Sequence, residues 1–164
     1  MTYATNTTVS EDKSRLEVEK MLMKYGATRF GYLREPGKAL VCFTYKKLTI
    51  QMEIPLPSPD DRRFAVTPSK KWARTPEAKR EAYEGEVRRR WRSLALAIKA
   101  KLIAVEDGVA TFEAEFLPYM VAADGRTIAQ KLLPVIEAAK EGGTLNAMLM
   151  LPAPEDVSAG SPLN

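Results

Sequence analysis

An α+β domain is the fold class this sequence predicts: a three-stranded antiparallel β-meander packed against one long α-helix, with additional shorter helices. Three observations carry that expectation. Residues 28–54 alternate apolar and polar side chains in three short runs separated by turn residues, as in an antiparallel sheet with one buried face. Residues 75–108 carry an apolar stripe at helical spacing. The chain has 164 residues, 45% of them hydrophobic, which is enough for one domain with a core.

Residues 1–9 are polar and threonine-rich, and are expected to form a flexible N-terminus. Ser10 or Asp12 can cap a first helix that runs to Tyr25 and stops at Gly26, with Leu16, Val18, Leu22 and Tyr25 as its apolar face. A helix this short is not stable alone, so it must dock on the domain. Residues 28–34 read as the first strand. In Glu35-Pro36-Gly37-Lys38, proline presets one central residue and glycine permits the next, which predicts a type II turn. Residues 39–45 are the second strand, with Ala39, Val41, Phe43 and Tyr45 on one face. Lys46-Lys47 makes a tight reversal without the usual Asn or Gly. In the third strand, residues 47–54, Leu48, Ile50, Met52 and Ile54 alternate with Lys47, Thr49, Gln51 and Glu53.

The connection from Pro55 to Arg74 holds four prolines, which forbid regular structure over most of it. Thr75 then offers an N-cap, Pro76 suits the first helical position, and Gly108 can close the far end in a left-handed conformation. Between them Tyr83, Val87, Trp91, Leu94, Ile98, Leu102 and Val105 form the stripe, and the sheet's apolar face is its natural partner. Gly85 should weaken this helix by about 1 kcal/mol relative to alanine. Residues 110–119 fit a strand or a short helix, and Phe112, Phe116 and Leu117 favour the helix. Thr127 caps a last helix to about Glu141, which Pro134 should kink or split. The single domain is expected over 10–150, with a disordered tail over 151–164.

Net charge is only +4, but it is unevenly placed. Residues 28–101 hold 18 basic and 8 acidic side chains, and residues 102–164 hold 3 and 9. A basic middle beside an acidic end suggests one face that attracts anions, or a fold whose own halves attract each other. There is no histidine, so the usual general base near neutral pH and the commonest transition-metal ligand are missing. Cys42 is the one cysteine; it cannot form an internal disulfide, and inside a strand it reads as inert filling. No phosphate-cradling glycine motif occurs. A carboxylate-only magnesium site stays open on composition, with Glu53, Asp60 and Asp61 as its candidates, although acids after a strand are ordinarily turn residues. The expectation is a protein that is not an enzyme and needs no cofactor or metal. No apolar run approaches a membrane span and no secretion signal is seen, so the expected location is the cytoplasm of a host cell.

The basic residues fall in two groups. Arg62, Arg63, Lys70, Lys71 and Arg74 lie in the proline-rich connection with Trp72 and Phe64, and Arg88, Arg89, Arg90 and Arg92 lie on the long helix. Cations interleaved with aromatics suit nucleic acid, because the cations meet phosphates and the rings stack on exposed bases. The bland alternatives are a solvated helix face, with Glu84–Arg88 and Glu86–Arg90 paired four residues apart, and aromatics that pin the loop to the body.

The stretches KYGATRFGY, TIQMEIPLPSPDD, TPEAKREAYEGEVRRRWRSLALAIKAKLIAVEDG and TFEAEFLPYMVAADGRTIAQKLLP together resemble a family of small uncharacterised proteins encoded by bacteriophages and prophages. The resemblance spans nearly residues 10–134 and supplies no catalytic residues. It implies a phage setting, and with it two roles: handling of nucleic acid, or interference with a host defence or host enzyme. The helix–strand–strand–strand–helix order also looks like the double-stranded RNA-binding domain, from which the long connection and the long second helix depart. The expected function is therefore sequence-tolerant nucleic-acid binding, single strands in preference to duplex, by Arg62, Arg63, Lys70, Lys71, Trp72, Arg74, Arg88, Arg89, Arg90 and Arg92. The alternatives are an inhibitor that binds a host protein, for which the acidic last third is an equal contact candidate, and an assembly protein whose stripe makes a homo-oligomer.

Overall fold

The computed structural model describes residues 9–69 and 71–142, except for the side chains of residues 141 and 142. The expectations for residues 1–8, for Lys70 and for the 151–164 tail lie outside the described residues. The chain divides into two compact units, the first through Ile128 and the second from Ala129.

The first unit is built on a sheet of three strands in the order β1-β2-β3, with β1 at Ala27–Glu35, β2 at Lys38–Tyr45 and β3 at Leu48–Pro55. Both hairpins close on two residues. Glu35 pairs with Lys38 across Pro36-Gly37, where Gly37 takes φ 82°, as a type II turn requires. Tyr45 pairs with Leu48 across Lys46-Lys47. The missing glycine in that turn is replaced by strain, since Lys46 itself sits at φ 52°. One extra residue in β1 between Thr28 and Gly31 makes a bulge, and Arg29 takes φ 54° there.

Alternation puts Val41, Phe43, Ile50, Met52 and Ile54 on one buried face. The 31-residue helix α3, Pro76–Glu106, covers that face with Val87, Trp91, Ala95, Ile98 and Leu102. Its caps follow the sequence: Thr75 accepts from the Ala78 N–H, Pro76 opens the helix, and Gly108 takes φ 69° beyond its end. Helix α1, Glu11–Lys24, is capped by Ser10 and packs beside α3. Val18 and Leu22 are buried as expected, but Leu16 is 54% exposed and Ser14 takes the inward place. The inward face of α1 is therefore turned by one to two residues from the expected one.

The proline-rich connection has more regular structure than its composition suggests. Asp61 caps the four-residue helix α2, Arg62–Ala65, and Val66 bridges Ala73. Prolines stand outside both features, so their missing N–H groups cost neither a hydrogen bond. After α3, the short helix α4, Phe112–Phe116, runs into a 3₁₀ turn at Leu117–Tyr119. Phe112 stacks on Tyr45 with ring centroids 3.7 Å apart, and Phe116 meets Phe43 edge-on at 6.0 Å. Helix α5, Ile128–Gly142, which continues from Ala129 as the second unit, is a single helix with Pro134 inside it, so it is not split there.

Two buried polar atoms face the core with no partner among the described residues, the Ser14 hydroxyl and the Trp91 indole N–H. An unsatisfied buried hydroxyl costs about 1–3 kcal/mol, and alanine is also the better helix residue. Ser14→Ala is therefore expected to raise stability by about 1 kcal/mol, read as a higher urea midpoint at unchanged m-value. A lower midpoint would show that the hydroxyl has a partner in solution.

Candidate nucleic-acid interface

The nine described members of the expected site do not form one patch. The four arginines of α3 each bond within the protein, and they point three ways. Arg88 bonds Glu81 at 2.8 Å, two turns back along the helix. Gly85 lies between them, and a Cβ there would meet the Arg88 guanidinium at 3.6 Å, an ordinary contact. The expected Glu84–Arg88 pair is not made; Glu84 pairs instead with Arg80, at 3.9 Å. Arg92 pairs with Glu17 and so bolts α3 to α1. Arg89 and Arg90 share Glu86, at 2.5 Å and 3.0 Å, and Arg90 also donates to the Pro55 carbonyl at the end of β3. The Glu86–Arg90 pair is thus made as expected. Hydrogen bonds from Arg89 first, and then from Arg90, hold the Glu86 carboxyl below the usual carboxylate range. Each of these four arginine side chains is only about a quarter exposed.

The connection is arranged differently. Arg74 is tied down, because its guanidinium donates to the Arg63 and Phe64 carbonyls at 3.2 and 3.3 Å. Phe64 is 5% exposed and meets Tyr83 edge-on at 5.7 Å. It is an anchor of the connection, as the second of the two readings of its aromatics has it, and offers no face to a base. Trp72 is the opposite case, at 66% exposure. Its backbone is held firmly: Thr67 N–H donates to the Trp72 carbonyl at 2.8 Å and Trp72 N–H donates to the Thr67 hydroxyl at 3.1 Å. The preceding Lys71 sits at φ 55°, which turns the chain back on itself. Arg62 and Lys71 are exposed and make no ion pair with any described residue. Arg63 is paired with Asp61 at 3.0 Å and lies over the Phe64 ring at 4.7 Å. The Val66–Ala73 bridge and the Thr67 bonds thus fix the backbone of Lys71 and Trp72, and Arg62 and Arg63 lie in the short helix that leads into this ribbon.

The candidate magnesium carboxylates are each taken up locally. Asp60 meets Lys79 at 3.1 Å, Asp61 caps α2, and Glu53 meets Lys38 at 3.8 Å. Among the described residues no three acidic or cysteine side chains gather as a cation site. Cys42 is half-buried with its thiol pushed up by burial, as filling requires. The sequence reading missed a cleft beside the connection, lined by Arg34, Leu56, Pro57 and Tyr83, where Arg34 donates to the Tyr83 hydroxyl at 3.2 Å; Arg34 also pairs with Glu11 at 3.3 Å. No local signal marked Arg34, because its partners lie far away in sequence. No described helix is long and apolar enough to cross a membrane. No protein-family model, no curated protein and no solved structure matches the chain.

The two kinds of arginine should separate in a stability measurement. Arg92→Ala leaves Glu17 half-buried without its partner and is expected to cost about 1–2 kcal/mol, whereas Arg62→Ala should stay within about 0.5 kcal/mol. Equal losses in urea unfolding would refute the distinction. Glu86 adds a pH signature. Its pKa is depressed in the folded state, so its contribution is present above the unfolded carboxylate pKa and is lost as pH falls through the lower folded value. Glu86→Gln should therefore lower stability at neutral pH and flatten the loss below about pH 4.5; an unchanged acid limb would refute this role.

Proposed function

We propose that the ribbon between β3 and α3 binds single-stranded nucleic acid without sequence preference and without catalysis. The observation that carries this reading is Trp72. Among the described residues it is the one exposed aromatic, and its backbone is hydrogen-bonded next to Lys71 on the ribbon that follows Arg62 and Arg63 in the chain. An exposed indole on a hydrogen-bonded backbone stacks on any base, because every base has a π face, and duplex would hide those faces. The neighbouring cations neutralise phosphates and release counterions. The helix arginines enter this reading in a lesser role, because a phosphate must displace a carboxylate to reach Arg88, Arg89 or Arg92. Lys70 belongs to the same stretch of sequence.

The test is fluorescence anisotropy of a labelled oligonucleotide at low and moderate salt, with a duplex in parallel. Trp72→Ala is expected to weaken single-strand binding by about 1–3 kcal/mol. Changing Arg62 and Lys71 together to Gln should lower the salt slope by about 1.4, from a coefficient of about 0.7 per phosphate contact on single strands. Unchanged affinity and slope in these variants would refute the ribbon as the site. Absence of any binding at low salt would end the reading and turn attention to a host protein as partner.

A further inference from the structure

The cleft that Arg34 and Tyr83 share lies between the turn at Pro36-Gly37 and the chain that leaves β3 at Leu56-Pro57-Ser58-Pro59. It holds about 530 Å³, within the roughly 300–1,000 Å³ of ordinary ligand sites. Its walls are fastened to each other, because the Leu56 N–H donates to the Gly37 carbonyl at 2.7 Å. Tyr83 is fixed on two sides. Its ring meets Phe64 edge-on at 5.7 Å, and its hydroxyl accepts from the Arg34 guanidinium at 3.2 Å. Leu56 and Pro57 are buried and make the floor, while Pro36, Ser58 and Pro59 are exposed at the rim.

The polar side chains of the lining are Arg34, Glu35, Ser58 and Tyr83. Both charges already have a counter-charge, since Glu35 meets Lys38 at 3.4 Å and Arg34 meets Glu11 at 3.3 Å. What hydrogen-bonding capacity remains on these side chains is one-sided. The Tyr83 oxygen accepts from Arg34, and the Ser58 oxygen accepts from the Asp60 N–H at 3.2 Å. Each hydroxyl keeps its own hydrogen, and neither hydrogen has an acceptor among the described residues. Arg34 likewise has N–H groups beyond those it gives to Glu11 and Tyr83. The cleft thus offers apolar walls and side-chain donors. An anion would compete with Glu11 for Arg34, and a nucleobase brings donors of its own as well as acceptors. A polyproline II segment brings backbone acceptors alone, because proline has no N–H and this helix makes no internal hydrogen bonds. Its ring faces are apolar and pack on aromatic walls.

We propose that this cleft docks a short, uncharged, proline-rich segment of a protein partner in the polyproline II conformation. Pyrrolidine rings of the segment lie against Tyr83 and Leu56, and its carbonyls accept from the Tyr83 and Ser58 hydroxyls. With a single aromatic wall, the docked stretch is about three residues, one turn of that helix. Attachment costs little ordering on either side, since the segment is already extended and the cleft walls are already tied together. The inference is independent of the nucleic-acid reading, since it uses no residue of the ribbon.

The test uses the full chain, labelled with ¹⁵N, and the capped peptide Pro-Pro-Leu-Pro-Pro, with Ala-Ala-Leu-Ala-Ala as control. The proline peptide should shift the amide signals of Gly37, Ser58 and Tyr83 and leave those of Lys71 and Trp72 in place. The alanine peptide should bind about tenfold more weakly or worse, because its backbone must be ordered on docking. Tyr83→Phe keeps the ring and removes one donor, and Ser58→Ala removes the other; each should weaken binding by about threefold to tenfold. Affinity should hold between low and moderate salt, because no free charge is used on either side. Absence of shifts at the three amides with millimolar proline peptide would overturn the proposal, and so would equal binding of the alanine peptide. A steep fall in affinity with salt would also overturn it, and would assign the cleft to an anion on Arg34. Loss of peptide binding in Trp72→Ala would overturn it by placing the peptide on the ribbon.

Discussion

The burial of Trp91 against the sheet is the constraint from which the rest of the first unit follows. The ring is 2% exposed, lies 6.3 Å from Tyr32 by ring centroids, and has the Arg15 guanidinium 5.8 Å away. A helix of 31 residues is not held by propensity, since isolated helices are marginal in water and Gly85 weakens this one further. Burying large apolar side chains stabilises by about 1.5–3 kcal/mol each, so Val87, Trp91, Ile98 and Leu102 outweigh that glycine several times over. Those residues lie on one line, so α3 has one way to lie on the sheet. The direction of every other side chain on it is then set.

That geometry explains why four neighbouring arginines do not act as one cluster. Successive residues on a helix turn by about 100°. With Trp91 pointing into the core, Arg92 lies about 100° to one side, Arg88 about 60° to that same side, and Arg90 about 100° to the other. The structure agrees: Arg92 reaches α1 and Arg90 reaches the end of β3. A run that reads as a single basic face in sequence is a ring around the helix. The flanks of a buried stripe are where it meets its neighbours, so arginines there find carboxylates and carbonyls before they meet solvent.

Most of the fold was legible because it rests on local signals. The period-two alternation gave the meander, Pro36-Gly37 gave its first turn, and Thr75-Pro76 and Gly108 gave the ends of α3. What was not legible depended on distant parts of the chain. The inward place of Ser14 on α1 is decided by α3, which polar composition alone does not reveal. The second turn was legible in position but not in conformation, since Lys46 accepts a left-handed backbone where glycine is usual. At the candidate site the sequence named the cations and aromatics but not their states. Phe64 and Trp72 look alike as aromatics among basic residues, yet one is buried against Tyr83 and the other exposed. The difference lies in register. Phe64 ends up on the inner side of a four-residue helix that docks on α3, while Trp72 sits next to the residue that bridges Val66.

The same reasoning separates the charges by what they hold. On α3 Arg90, Arg92 and Lys101 are structural, since they tie the helix to the end of β3, to α1 and to α4, while Arg88 and Arg89 pair along the helix itself. In the connection, Arg74 ties the ribbon to α2 through two carbonyls, and the remaining charge stands on an already rigid support. A flexible loop with the same composition would lose conformational entropy on meeting any ligand. Here the short helix, the bridge and the Thr67–Trp72 bonds have already removed much of it. Strain points the same way, because Lys71 holds a left-handed conformation that costs a non-glycine residue about 1 kcal/mol or more. Folding keeps that arrangement only because the surrounding hydrogen bonds over-determine it, and its result is to fix the backbone that carries an exposed lysine and an exposed tryptophan.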